Sequence, residues 1–438
     1  MTPRRVFRHI ARIVKRIVRG QALGDISLQG ATLEFSDVIT AFQFLHRPEL
    51  WQSGSAIRQL ERLFADYLGV RHAYSFWGGR VSLSAILEAL ELGEGDEVIL
   101  PGYTCVVVPN ALLYRGIRPS YADIDPFAFD LTATEIEHLV TRRTKAVILQ
   151  HTFGLVGDID LILNVARRHN LFVIEDCAPA LGAEYKGEKV GTFGDAAFFS
   201  MEQSKVITTQ MGGMAVTNDE GLGQRLKDIQ AGAAFPEPRE IEARLWRFIY
   251  NYFSSRPKSG LISGGLFRCL ARLLGKEIDI ISTTAQEVAS VQPQGYGRRL
   301  PNALAALGIR QLRDLDVYNQ RRYESARQYD EWVIKNGGQP IPVLPGTEPV
   351  YLRYPIYVQD KEEFSHAMWE FGIDPGVWFT DVIHPKGTDW CKLNYTGGKC
   401  PNAEFAVEHV ANLPTGFEVI VDDIDISALS LSLPEGNG

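Results

Sequence analysis

The chain has 438 residues, 45% of them hydrophobic and 22% charged, enough to bury a large core and to form two or three domains. A formal net charge of −8 argues against nucleic acid as the main partner, because neutralising phosphates needs a broad face of clustered Lys and Arg. The five cysteines, at 105, 177, 269, 391 and 400, form no CxxC pair and no even framework, which argues against a zinc site or a disulfide scaffold and for a reducing, cytoplasmic setting.

Residues 1–20, MTPRRVFRHIARIVKRIVRG, hold seven Lys and Arg and no acid. Phe7, Ile10, Ile13, Val14 and Ile17 recur at helical spacing opposite Arg5, Arg8, Arg12, Arg16 and Arg19, the pattern of a basic amphipathic helix. Two readings stay open: a helix that docks on its own protein or a partner subunit, or one lying peripherally on the inner face of a membrane. The segment lacks the apolar core and cleavage site of a secretory signal, and no stretch approaches the roughly 20 apolar residues of a spanning helix.

From about residue 55 helix and strand alternate: AIRQLERLFADYLGV reads as helix, HAYSF as strand, VSLSAILEALEL as helix and DEVILP as strand. The alternation runs on through KAVILQH, DLILNVARRHN and LFVIED. The strands are almost uniformly apolar, as expected where helices cover both faces of an open, mostly parallel sheet. Such sheets bind ligands at the carboxyl ends of their strands.

Three strand ends carry chemistry. In SFWGGRVSLSAIL a strand stops at Phe76, Gly78-Gly79 turns, and a helix begins near Arg80; its unpaired first amides suit an anion, although a Gly-Gly turn is as readily a tight connection. In LFVIEDCAPALGAEYKG an apolar run delivers Glu175 and Asp176 to the sheet edge, where an acid caps a helix or keeps a pyridine nitrogen protonated. In FGDAAFFSMEQSKVITTQMGGMAVT, Lys205 follows Ser200 and an apolar run, a setting that lowers an amine's pKa and makes it a nucleophile. An anion cup, a ring-nitrogen acid and a desolvated amine, in that chain order, describe a site for pyridoxal 5′-phosphate.

Beyond residue 230, ARLWRFIYNYFSSRPKSGLISGGLFRCLARLLGKEIDI mixes aromatic and aliphatic residues with Arg and Lys. It reads as a helical insertion covering the dimer or the active site, or, taken with residues 1–20, as a peripheral membrane contact spanning 241–280. PVYLRYPIYV then reads as a strand, KEEFSHAMWEFGI as a helix and PNAEFAVEHVANLP as a helix, a smaller α/β unit. The resulting division is an N-terminal helix and arm over 1–50, a large domain over 51–285 with a hydrophobic insertion near 240–285, and an interface helix with a small C-terminal domain over 286–430.

The order GDEVILPGYTC, GDIDLILNVARRHNLFVIEDCAPALGAEYKGEKVGTFGDAAFFS, SKVITTQMGGMAVT, LPNALAALGIRQLRDLD and CPNAEFAVEHVANLP resembles the DegT/DnrJ-type sugar aminotransferases over roughly residues 50–430. The resemblance implies the α/β architecture of fold-type I pyridoxal-phosphate transferases: a large domain with a mostly parallel, seven-stranded sheet flanked by helices, and a smaller C-terminal α/β domain. It implies that Lys205 carries the cofactor covalently, that Asp176 pairs with its ring nitrogen, and that Ser200 with the Gly79-Arg80 turn holds its phosphate. It further implies a homodimer with sites at the subunit interface, glutamate or glutamine as amino donor, and a nucleotide-linked keto-sugar as acceptor, made for surface polysaccharide, glycolipid or secondary-metabolite sugars. Family members that dehydrate sugars carry histidine where Lys205 stands.

Several positions depart from the family pattern. Arg80 replaces the threonine of the cup, facing the phosphate or the other subunit. The usual ring-stacking aromatic falls at Cys105, for which Tyr103 or Trp77 substitutes, and Pro179 stands where Gln or His is usual. Arg299 takes the place of an asparagine that reaches the neighbour's phosphate. Trp378, His384 and Arg353 fall where such enzymes shape the substrate pocket. These departures keep two alternatives open, a catalytically idle member acting as scaffold or regulator and a pyridoxal-phosphate enzyme of another type, such as a sugar dehydratase or lyase.

Overall fold

A computed structural model describes residues 26–256, 260–276, 283–376 and 378–417, so the amphipathic segment expected at 1–20 lies outside the described residues. Helix α1 (Phe35–Leu45) and helix α2 (Ser55–Leu68) precede the central sheet. The sheet comprises β1 (His72–Phe76), β2 (Glu97–Pro101), β3 (Arg118–Ala122), β4 (Thr144–Gln150), β5 (Phe172–Asp176), β6 (Ala196–Ser200) and β7 (Gly213–Thr217), in the spatial order β1-β7-β6-β5-β4-β2-β3. Only β7 runs against the others, pairing antiparallel with both β1 and β6. The fold is the mostly parallel α/β sheet expected from the apolar strands: β2, β6 and β7 are buried throughout, because helices such as α3 (Gly79–Ala89) and α4 (Ile159–His169) cover the faces. Helix α4 starts where the Asp158 side chain accepts the Leu161 N–H and ends on Asn170 in the left-handed region, a cap that asparagine tolerates.

Helices α5 (Pro238–Ser254) and α6 (Gly260–Leu273) follow the sheet, and the long pair α7 (Asn302–Arg313) and α8 (Leu315–Lys335) leads to the C-terminal unit. There β8 (Arg353–Tyr357) pairs antiparallel with β9 (Val410–Pro414), beside α9 (Lys361–Glu370) and α10 (Pro401–His409). The expected single helix PNAEFAVEHVANLP is corrected here. It stops at His409, and VANLP becomes a fully buried strand registered Val410 to Tyr357 and Pro414 to Arg353. Tertiary pairing with β8 outweighs the helical spacing, as it does for short apolar runs. A parallel bridge between Thr104–Cys105 and Ile383–His384 ties this unit to the large one and sets His384 beside Cys105.

Candidate active site

The carboxyl ends of β1, β5 and β6 open on one cavity of about 240 Å³, which Gly79, Arg80, Asp176, Ser200 and Lys205 all line. Its floor is the N-terminus of α3. The N–H groups of Val81 and Ser82 already bond back to Gly78 O (3.0 and 2.9 Å), so the first amides of the helix and the positive end of its dipole remain for an anion. Glycine is required by close approach: a Cβ at Gly79 would lie 3.0 Å from Ser200 Cβ, and one at Gly213 only 2.3 Å from the Gly78 carbonyl carbon.

The two acids ending β5 point to opposite faces, as the period of a strand demands. Glu175 is fully buried and structural, accepting the N–H groups of Gly191 (2.7 Å), Phe193 and Gly194 (both 2.8 Å). Asp176 faces the cavity. The Ala178 N–H donates to its Oδ1 (3.0 Å), and burial pushes its carboxyl up to about 6, with the Lys205 charge pulling back. Lys205 sits in the β6–β7 loop, its N–H bonded to Glu202 O (3.1 Å) and its Nζ 5.1 Å from the centre of the Trp378 ring.

The opposite wall comes from the C-terminal unit through Arg353, Trp378 and His384. The Arg353 guanidinium lies 3.8 Å from the Trp378 ring centre and donates to Asn412 Oδ1 (3.3 Å); burial pulls it down to about 9, though it stays a cation at neutral pH. His384 is driven down to about 4 by burial and then by the charges of Arg353, Lys361 and Lys205, so its imidazole is neutral, with Nδ1 accepting the Thr380 N–H (3.3 Å). Cys105 lines the cavity, and burial raises its thiol.

Three expected residues lie elsewhere. Tyr103 is fully buried behind the wall, where its hydroxyl donates to Trp378 O (3.3 Å) and accepts the Phe379 N–H (3.2 Å); it positions that wall rather than facing a ligand. Trp77 also lies off the cavity, near Arg244. Arg299 stays out of this cavity, its guanidinium 4.7 Å from the Phe235 ring centre. Arg80 lines the cup but is neutralised inside the chain. It is ion-paired with Glu287 and lies 3.7 Å from Glu202, while Asn110 Nδ2 donates to Glu287 O (2.7 Å). Glu202 was not singled out in the sequence, although an acid three residues before the lysine was its visible signal. Phe153, Phe198 and Phe379 supply the aromatic wall that Cys105 does not.

These residues fit pyridoxal 5′-phosphate. Helix amides and Ser200 face one end of the cavity as a phosphate cradle, Asp176 is a buried acid with no ion pair among the described residues, and an amine opens on the same space. In the cup the charge of Arg80 is offset by Glu287 and Glu202.

Comparison with known proteins agrees with this geometry. The chain is 45% identical over 186 residues to a GDP-perosamine synthase of Caulobacter vibrioides, covering 42% of this chain and 50% of that protein. It is 34% identical over 309 residues to an L-glutamine:2-deoxy-scyllo-inosose aminotransferase of Streptomyces kanamyceticus, covering 70% of this chain and 63% of that protein. The chain thus spans about half to under two thirds of these relatives' lengths. Its fold is similar to that of DesV from S. venezuelae, with a TM-score of 0.66, 25% identity, and coverage of 87% of this chain and 89% of that one. The family model for DegT/DnrJ/EryC1/StrS aminotransferases matches residues 36–244 and 269–428, most of the sequence, and the chain belongs to that family.

Proposed function

We propose that this protein is a pyridoxal-phosphate-dependent aminotransferase that moves an amino group from glutamate or glutamine to a keto-sugar carried on a nucleotide. The observation that carries the reading is the convergence of Lys205, Asp176 and the N-terminus of α3 on one cavity. The bound cofactor would supply an electron sink for the carbanion formed at the donor's Cα. Lys205 Nζ would hold the cofactor through its aldehyde carbon and, when free, would move the proton at the donor's Cα. Asp176 would hold the proton on the ring nitrogen, and Ser200 with the α3 amides would anchor the phosphate. Arg353 is the cavity cation that suits a donor carboxylate, since no ion pair holds it among the described residues, and neutral His384 can donate or accept at a sugar hydroxyl. The same reading takes the protein as a cytoplasmic homodimer in which Arg299 serves the partner's site.

The test is incorporation of nitrogen. The purified protein, loaded with cofactor, is incubated with α-amino-labelled glutamine and a panel of keto-sugar nucleotides, and the products are weighed. Label in one sugar, abolished by Lys205→Ala together with the cofactor's visible absorbance, supports the reading. A product that loses water without gaining label overturns it in favour of dehydration.

A further inference from the structure

We infer that Gln29 is a substrate contact, its side-chain amide hydrogen-bonding a hydroxyl of the keto-sugar acceptor. The role belongs to the aminotransferase reading above and rests on it. Gln29 lines the cavity of Lys205 and Asp176, although it lies in the N-terminal arm, far from both in sequence. It is half-buried, its backbone N–H donates to Ser27 Oγ (3.2 Å), and among the described residues its side-chain amide has no hydrogen-bond partner. The family match begins at residue 36, so Gln29 also lies outside the matched pattern.

The arm is anchored on both sides of this residue. Before it, the Ile26 N–H donates to Gly372 O (2.7 Å) and Ile26 O accepts the Asp374 N–H (3.0 Å), which ties the arm to the C-terminal unit. After it, Gly30 takes a φ of +84°, and a Cβ there would lie 2.2 Å from Ser255 Oγ, so glycine lets the arm settle against the end of α5. Gln311 of α7 then donates to Thr32 O (2.9 Å), Arg256 donates to Leu33 O (2.7 Å), and the Leu33 side chain is buried. A side chain carried on an anchored backbone has little left to order when a ligand arrives, which is what a discriminating contact requires.

The other lining groups decide what the amide meets. Lys205, Asp176 and Ser200 suit the cofactor, Arg80 is held by Glu287 and Glu202, and Arg353 suits the donor's carboxylate. The Gln150 amide is already satisfied: it accepts the Thr104 hydroxyl (2.6 Å) and donates to Tyr103 O (3.0 Å) and Thr152 Oγ1 (2.7 Å). Gln203 and Ser204 flank the amine within its own loop, whereas Gln29 enters from an element that carries none of the cofactor groups. An uncharged amide offers two donors and an acceptor, the complement of a hydroxyl that both donates and accepts, and it brings no charge to a carboxylate. A sugar ring carries such hydroxyls, and a site that bonds one rejects analogues that lack it.

The test separates the two halves of the reaction in full-length, cofactor-loaded protein carrying Gln29→Ala or Gln29→Glu. The donor half is followed by the cofactor's absorbance on adding glutamine or glutamate alone, and the acceptor half by its return on adding GDP-, UDP- or dTDP-linked 4-keto-6-deoxyhexoses. Both variants should keep the wild-type donor half and melting temperature, and should lose about tenfold in kcat/KM for the best acceptor. Calorimetry of that acceptor with protein holding the unaminated cofactor, which cannot turn it over, should show a Kd weaker by about the same factor. An unchanged acceptor half would overturn the assignment, and so would a loss shared with the donor half, which would give the amide to the donor or the cofactor. Wild-type protein whose absorbance no donor changes would overturn the aminotransferase reading itself, a failure seen without any variant.

Discussion

At the scale of single residues the cavity works against the stability of the empty protein. The Asp176 carboxyl, raised by burial from 3.8 to about 6, takes up a proton more readily in the folded chain than in the unfolded one. Below about pH 4 both states are protonated and the acid costs nothing; above pH 6 the folded state carries an ill-solvated charge costing up to about 3 kcal/mol. A protonated ring nitrogen offsets that cost. Asp176→Asn is therefore expected to raise the melting temperature of cofactor-free protein at pH 8 by a few degrees, with the gain shrinking toward pH 5, and to slow amino transfer by roughly a hundredfold or more. Melts of both proteins at the two pH values, with and without cofactor, check this; a lower melting temperature for the variant at pH 8 would show that the carboxylate is not held against its solvation. Glu202 gives the converse case. Glu202→Gln removes a negative charge from the cup and loosens its claim on Arg80 at 3.7 Å, so the cofactor should bind several-fold more tightly, by about 1 kcal/mol. Equilibrium dialysis with cofactor measures the difference, and weaker binding would mean that Glu202 serves the cup by orienting Arg80.

At the scale of elements the site depends on how tightly β7 lies under the α3 turn. A Cβ at Gly213 would meet backbone atoms of Gly78 and Gly79 within 2.5 Å, and neither can yield without moving the first amides of the helix. Gly213→Ala should destabilise the protein by about 1–3 kcal/mol and weaken cofactor binding, while Gly232→Ala, with open space around its Cβ, should do neither. Thermal melts with and without cofactor separate the two. The same local geometry explains what could be read from the chain. Uniformly apolar strands, the Gly-Gly turn, the acid at the end of β5 and the lysine after β6 are all written within short windows, so they were visible. The partners of Arg80 were not: Glu287 lies 207 residues away in sequence, and only folding brings it to the cup. VANLP looked helical because nothing within it announces β8, its partner from more than fifty residues earlier. Tyr103 looked like a ring-facing aromatic because its burial is set by Trp378 and Phe379, which arrive from the C-terminal unit.

At the scale of the whole molecule, the position of Arg299 argues for sites shared between subunits. Its backbone is pinned to the large unit by a bridge to Phe76 and by its N–H bonding Ala234 O (3.0 Å), yet its guanidinium lies on Phe235 and, among the described residues, no carboxylate pairs with it. A cation held outside its own cavity, with its Nε unpartnered, accords with the proposed role at the partner's site. If it completes the phosphate site of the other subunit, Lys205→Ala and Arg299→Ala disable different halves of each shared site. Either variant alone should be nearly inactive. When the two are mixed, unfolded and reassembled at random, about half the dimers are mixed, and each of those has one site in which both residues are intact, so about a quarter of wild-type activity should return. Return of activity without a dimer in light scattering, or a mixture as inactive as its parents, would place Arg299 outside the partner's chemistry.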